Sequence, residues 1–412
     1  MPHHSPHTFT RASSLLLSLA AIFLALQIFP TTLHAQTVIP FYQFVPGLIP
    51  NGGLIADTNG TLYGTIQAED DSPADGLYGE VYELTNSAGV WSENLLYEFQ
   101  PFQVQHDGWN PVAGVIFGRN GSLLGTTYEG GSYGHCFTNG CGTVFELAPQ
   151  ADGSWKENNY RFRATENPAD NLIMDAAGNL YGTTRGFKST PGTVFEFSRA
   201  AGGGWTISTL YSFYPEKGNQ GTNPVAPLIL DGAGNLYGTA QTGGQYRNGT
   251  AFRLTPGSGG WTFASLYAFG NSAIEDGSQP TAGLVMDASG NLYGTTTQGG
   301  TNNYGTVFEL SPTPKGHWKE TILHEFAALD GEYPATSLIF DFAGNLYGVA
   351  PQGGQFSCGT IFELSPSAGS WNFNAVYSFS NSGDGCHPSG PLLDLNGNLY
   401  GTADSVAFEF IP

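Results

Sequence analysis

One short phrase is written seven times along this chain of 412 residues, and nothing else in the sequence limits its fold so tightly. "GNLYGTTTQGGTNNYGTVFEL" (290–310) is a representative copy. Aligned on the Gly of its LYG element, the copies fall at Gly64, Gly125, Gly182, Gly238, Gly294, Gly348 and Gly401, spaced 61, 57, 56, 56, 54 and 53 residues apart. Each copy has four pieces: an apolar run ending in Asp ("GLVMD", 283–287), then "NLYGTT" (291–296), "GTVFEL" (305–310), and a Trp-led stretch ending in paired aromatics ("WTFASLYAF", 261–269). All four are short, rich in β-formers and bounded by Gly, Asn, Asp and Pro, so all four read as strands. No apolar period of 3.6 persists long enough for a helix.

Four strands in a unit of this length match the blade of a β-propeller. A linear solenoid is the rival, and the ends of the repeat array separate the two. The last copy, "GPLLDLNGNLYGTADSVAFEF", stops after its third strand. The missing fourth stands at the other end, where Tyr42-x-Phe44 in "TVIPFYQF" (37–44) matches Tyr97-x-Phe99 and Tyr267-x-Phe269. A ring closed by its two ends uses this offset, and closure removes exposed sheet edges. The expected fold is therefore all-β: a seven-bladed β-propeller, four antiparallel strands per blade, closed by the N-terminal strand completing the last blade, one domain over 37–412.

Ahead of it, "RASSLLLSLAAIFLALQIF" followed by "TTLHAQ" reads as a signal peptide over residues 1–35, cleaved after Ala35, with an uncleaved anchor as the alternative. Without that segment the chain carries 12 basic against 34 acidic residues, a net −22. Such a charge argues against nucleic acid and anionic lipid as partners and suits a soluble, self-repelling exported monomer, secreted or periplasmic.

Asp57, Asp175, Asp231, Asp287, Asp341 and Asp394 end the first strand in six copies, before a turn such as "ASGN". A ring of carboxylates suggests metal, but an Asp capping a tight turn explains six copies better. Trp91, Trp155, Trp205, Trp261, Trp318 and Trp371 open the fourth strands and are expected to pack between blades; Trp109 alone breaks that pattern.

"AGLVMDASGNLYGTTTQGGTNNYGTVFEL" resembles the GloVer tandem repeat of bacterial exported proteins, the choice-of-anchor tandem-repeat family, over nearly the whole chain beyond the leader. The resemblance implies a bacterial secreted or surface propeller and no established activity. Many members end in an anchoring segment, whereas this chain ends at "AFEFIP", which favours release or periplasmic retention. The strand pattern is also similar to NHL-type propellers, which mostly bind partners, a few exported relatives being lyases or hydrolases.

Loops joining strands two and three, and those joining blades, should share one face and carry any binding site. The joining loops repeat Asp-Gly-x-x-Pro, with Asp107, Asp276, Asp330 and Asp384 as its carboxylates, read here as a turn. Four Cys in an exported chain suggest two disulfides, Cys136–Cys141 and Cys358–Cys386, although other pairings stay open. The inner strands carry no His and no charge except at their ends, no Ser elbow or phosphate loop appears, and no catalytic residue is assigned.

The second copy is the irregular one. It replaces "DxxGNLYG" with "GRNGSLLG" and carries a long insertion, so His106, Asp107, Trp109, Tyr128, Tyr133 and His135 form the candidate ligand-binding cluster. "AEDDSPAD" (68–75) offers Glu69, Asp70, Asp71 and Asp75 to Ca²⁺, against the plainer account of a solvated acidic loop; no other cofactor is expected. Arg185 and Lys188 make a basic spot beside them. Two functions remain: a non-catalytic propeller binding an extracellular glycan or protein through its loop-rich face, or a hydrolase or lyase acting on polysaccharide or cell-wall fragments.

Overall fold

A computed structural model describes residues 36–45, 48–67, 78–100, 107–131, 140–162, 167–186, 192–200, 204–214, 219–272, 275–393 and 396–412. Within them the seven copies form seven antiparallel sheets about one axis, the expected seven-bladed β-propeller. Blade five is typical: Val285–Met286 lies innermost, followed outward by Leu292–Thr296, Thr306–Pro312 and Trp318–Glu325. Blade seven takes Pro388–Leu393, Leu399–Ala403 and Val406–Ile411 from the end of the chain. Its outer strand is Thr37–Gln43, paired antiparallel with Val406–Ile411 so that Thr37 faces Ile411 and Gln43 faces Val406. The ring closes as the two chain ends foretold.

The recurring phrase has a packing explanation. Phe308 in the third strand lies directly opposite Gly294 in the second, and its ring is buried over that Gly. A Cβ on Gly294 would stand 2.8 Å from the ring, and one on Gly348 would stand 2.4 Å from the ring of Phe362. Only Gly lets a Phe lie flat on its own sheet at this point, so "LYG" and "VFEL" recur together. Neighbouring blades are joined by the Thr after that Gly: Thr239 Oγ1 donates to Ala282 O (3.1 Å) and Thr295 Oγ1 to Pro334 O (3.2 Å). Trp318 and Trp371 meet Tyr237 and Tyr293 of the preceding blade, with ring centroids 6.5 and 5.6 Å apart. The outer Trp do pack between blades.

The two ends of the disc are built differently. At one end Asp231 accepts from Ala233 N–H (2.9 Å), Asn235 N–H (2.8 Å), Asn235 Nδ2 (2.7 Å) and Tyr237 Oη (3.1 Å). Burial opposes ionisation there, yet these donors outweigh it and hold the carboxyl below its usual range. Asp57, Asp175, Asp287 and Asp341 repeat the arrangement, so their carboxylates cap turns; Asp394 lies outside the described residues. At the other end the joining loops pair with the loops between strands two and three. Gly277–Ser278 pairs with Gln298–Gly299, and Gly108–Trp109 with Glu129–Gly130. The two loop families therefore share a face, as expected.

Candidate functional site

The channel begins where each chain segment leaves the loop face for its inner strand. Two residues before the inner apolar residue of each blade stand, in order, Gly52, Ala113, Asp170, Ala226, Ala282, Thr336 and Gly390. Six small or neutral residues and one carboxylate thus occupy equivalent places. Five of them, Gly52, Asp170, Ala282, Thr336 and Gly390, border a cavity of about 410 Å³ lined from all seven blades, in which Asp170 is the one titratable side chain among the described lining residues. Burial pushes Asp170 up to about 7, against the pull of a hydrogen bond from Asn171 N–H at 2.6 Å. Asn171 Nδ2 donates across the channel to Gly52 O (3.2 Å). Its Oδ1, and Thr336 Oγ1, are buried with no hydrogen-bond partner among the described residues.

Above the cavity the rim is polar. Gln67, Asn110, Val112, Tyr128, Ala169 and Arg185 line a cleft of about 230 Å³, which meets the channel at Val112. Asn110 holds a left-handed backbone (φ 59°) before Pro111, and Asn223, Gln279, Tyr333 and His387 do the same before their Pro. That conformation turns each N–H back to the preceding blade, as in Asn110 N–H to Tyr78 O (2.8 Å) and His387 N–H to Cys358 O (3.0 Å). On blade seven His387 Nδ1 lies 3.1 Å from Asp404 Oδ1, both about half exposed. Cys386 adjoins this pair, but its sulfur is bound to Cys358 and is not a metal ligand.

The sequence profile of the Gloeobacter/Verrucomicrobia repeat matches residues 49–286 and 234–407. The chain belongs to that family. No curated protein matches this Gloeobacter/Verrucomicrobia repeat chain in sequence. Among solved structures it is similar to a streptogramin B lyase, at 13% identity and a TM-score of 0.57, covering 91% of this chain and 97% of that one. It is also similar to a protein of unknown function from Dyadobacter fermentans, at 11% identity and a TM-score of 0.44, covering 82% and 96% respectively. At such identities the likeness concerns the fold.

On this repeat scaffold the residues singled out by sequence are dispersed. Tyr128 lines the rim cleft. Trp109 does not offer an open face: it is 4% exposed, and its ring meets Tyr78 edge-on with centroids 5.8 Å apart. The pairing of Gly108–Trp109 with Glu129–Gly130 holds it between blades one and two. Asp107 is 1% exposed and accepts from Tyr97 Oη (2.8 Å) and Gln100 N–H (3.0 Å). The other Asp-Gly-x-x-Pro carboxylates are bound likewise: Asp276 by Tyr267, Asp384 by Tyr377, and Asp330 by His324. The motif is a turn, with a buried partner on the preceding outer strand.

The pairing Cys358–Cys386 is present, tying a blade-six loop to the segment entering blade seven. Cys141 is disulfide-bonded, while Cys136 lies outside the described residues. So do His106, Tyr133, His135, Glu69, Asp70, Asp71, Asp75 and Lys188.

Sequence reasoning missed three groups. Asp170 escaped because the approaches to the inner strands line the cavity together with the strands themselves; comparing the position two residues before the inner Leu would have exposed it. The other two are Glu157 and Glu320, which meet Asp107 and Asp276 across blade junctions. Each is pushed up to about 8, first by burial and then by the charge of its Asp. Asp107 Oδ1 and Glu157 Oε1 lack a donor among the described residues, as do Asp276 Oδ1 and Glu320 Oε1, and a proton kept by each Glu would supply one.

Proposed function

We propose that this repeat protein is an exported binding propeller that engages an extracellular glycan or protein through the loop-rich mouth of its channel. The observation that carries this reading is the rim cleft, where the Tyr128 ring, two amides and the exposed Arg185 guanidinium converge on about 230 Å³. An aromatic face with fixed amide donors and acceptors suits a sugar ring, and the guanidinium adds selectivity for an acidic group. In this reading residues 1–35 are removed on export and the domain over 37–412 acts as a monomer. The disulfide fits an oxidising compartment, and among the described residues no helix is long and apolar enough to cross a membrane.

The test is binding of the purified protein to soluble peptidoglycan fragments and plant oligosaccharides, compared with Tyr128→Ala and Arg185→Ala. A loss of at least tenfold in either variant is expected. Undiminished binding removes the cleft from the site, and binding to protein but to no glycan moves the ligand to the second class. The second reading, a hydrolase or lyase acting on polysaccharide or cell-wall fragments, is favoured by Asp170, whose pKa of about 7 suits a general base. The likeness in fold to a streptogramin B lyase adds only architecture. Product release from those same fragments that stops in Asp170→Asn would establish this reading over the first.

A further inference from the structure

We propose that the central channel is a binding site for a small organic cation, a primary ammonium on a short apolar stem, with Asp170 as its counter-ion. This site is distinct from the rim cleft and stands or falls separately from it. Asp170 is the sole charged side chain among the described residues lining a cavity of about 410 Å³, so no protein cation there neutralises it. Arg185 is exposed and lines the neighbouring cleft rather than the channel cavity. The six equivalent positions are Gly, Ala or Thr, which keeps the space around the carboxylate open.

Two other polar atoms at the cavity want a partner. Asn171 is held by its Nδ2 on Gly52 O, which fixes its buried Oδ1, and that atom is unpartnered, as is Thr336 Oγ1. A carboxylate, an amide oxygen and a hydroxyl match the three N–H donors of an ammonium. Apolar side chains make up much of the remaining wall, including Leu54, Ile55, Ile116, Leu172, Pro227 and Ile339, which suits a hydrocarbon stem. A divalent cation is a poorer occupant, because Ca²⁺ calls for six to eight oxygen ligands and gains little from apolar walls. The chain's net charge of −21 draws cations toward the channel mouth.

The experiment is calorimetric titration of the protein with n-butylammonium, n-butanol and Ca²⁺ between pH 5.5 and 8.5. Saturable binding of n-butylammonium is expected. It should tighten about tenfold per pH unit below pH 7 and level off above, as Asp170 ionises. Asp170→Asn should lose at least tenfold together with the pH dependence, and Thr336→Val a few-fold. Tyr128→Ala and Arg185→Ala should leave this binding intact even if they abolish glycan binding. The proposal is overturned if n-butylammonium does not bind at millimolar concentration, if n-butanol binds as well, if Ca²⁺ displaces the ammonium, or if Asp170→Asn binds unchanged. Should Asp170→Asn not fold, the wild-type pH profile alone decides: flat binding across pH 7 overturns the proposal.

Discussion

Two successive blade junctions hold the same loop carboxylate in different ways. Between blades four and five, Tyr267 Oη donates to Asp276 at 3.0 Å and lies 2.8 Å from Glu320, which burial and then the charge of Asp276 push up to about 8. Between blades five and six the three equivalent positions hold His324, Asp330 and Phe373. His324 Nε2 lies 3.2 Å from Asp330, and its ring stacks on Phe373 with planes 4° apart. The repeat thus fixes where three side chains meet and leaves their chemistry free, provided the Asp keeps a partner on the preceding outer strand. One junction depends on a titrating pair of acids. The other depends on a stack.

The sharpest way to break this comparison is to remove the bridging ring's polar atom at each junction. Tyr267→Phe removes the one hydroxyl within hydrogen-bond reach of both Asp276 and Glu320 and should cost about 2–4 kcal/mol. His324→Phe loses one bond while keeping a flat ring against Phe373, and should cost about 1 kcal/mol. Urea unfolding at pH 7 measures both. Equal losses would mean that Glu320 adds nothing to what the Tyr267 hydroxyl contributes through Asp276 alone.

The pH dependence comes next. An acid whose folded pKa is raised holds its proton in the native state after the unfolded chain has released it, so stability falls as pH rises through the interval between the two values. For Glu157 and Glu320 that interval runs from the ordinary Glu value to about 8. Wild-type stability should therefore decline across it, by under about 1 kcal/mol per pH unit from each pair, since both pairs are partly open to solvent. Glu320→Gln should remove one share of the slope and Glu157→Gln the other. A smaller effect should follow from the transplant His324→Tyr with Phe373→Glu, which rebuilds the acidic junction one blade further on. That variant should gain slope where wild type has none, and an unchanged slope would show that side-chain identity alone does not transfer the property.

What the sequence disclosed follows the distance between partners. The blade count, the ring closure and the capped turns were legible because the repeat is regular and because Asp231 finds all its partners within six residues. The carboxyl pairs were not. Glu320 lies 44 residues beyond Asp276, on the next blade, in a strand whose alternation marks a partly exposed side chain without saying which blade face it meets. Trp109 misled for a related reason: an aromatic outside the pattern reads as a surface feature until its pairing with Glu129 buries it. Asp170 is intermediate, a departure visible along the repeat whose meaning needs the channel around it.

The turn face supplies the smallest effect and the control for all the others. Asp287→Ala would leave Ser289 N–H, Asn291 N–H and the Asn291 amide without their acceptor. These groups lie near water, so the loss should be about 1 kcal/mol. Asp231→Ala and Asp341→Ala remove the same local set and should match it to within about 0.5 kcal/mol, adding independently when combined. Chemical unfolding of the three single variants and the triple variant tests this. Uniform, additive losses on the turn face, set against unequal losses at the junctions, would locate the individuality of the blades on the loop-bearing side of the disc. Scattered losses would mean that neighbouring blades modulate even identical turns, and the contrast between the two junctions would then lose its reference.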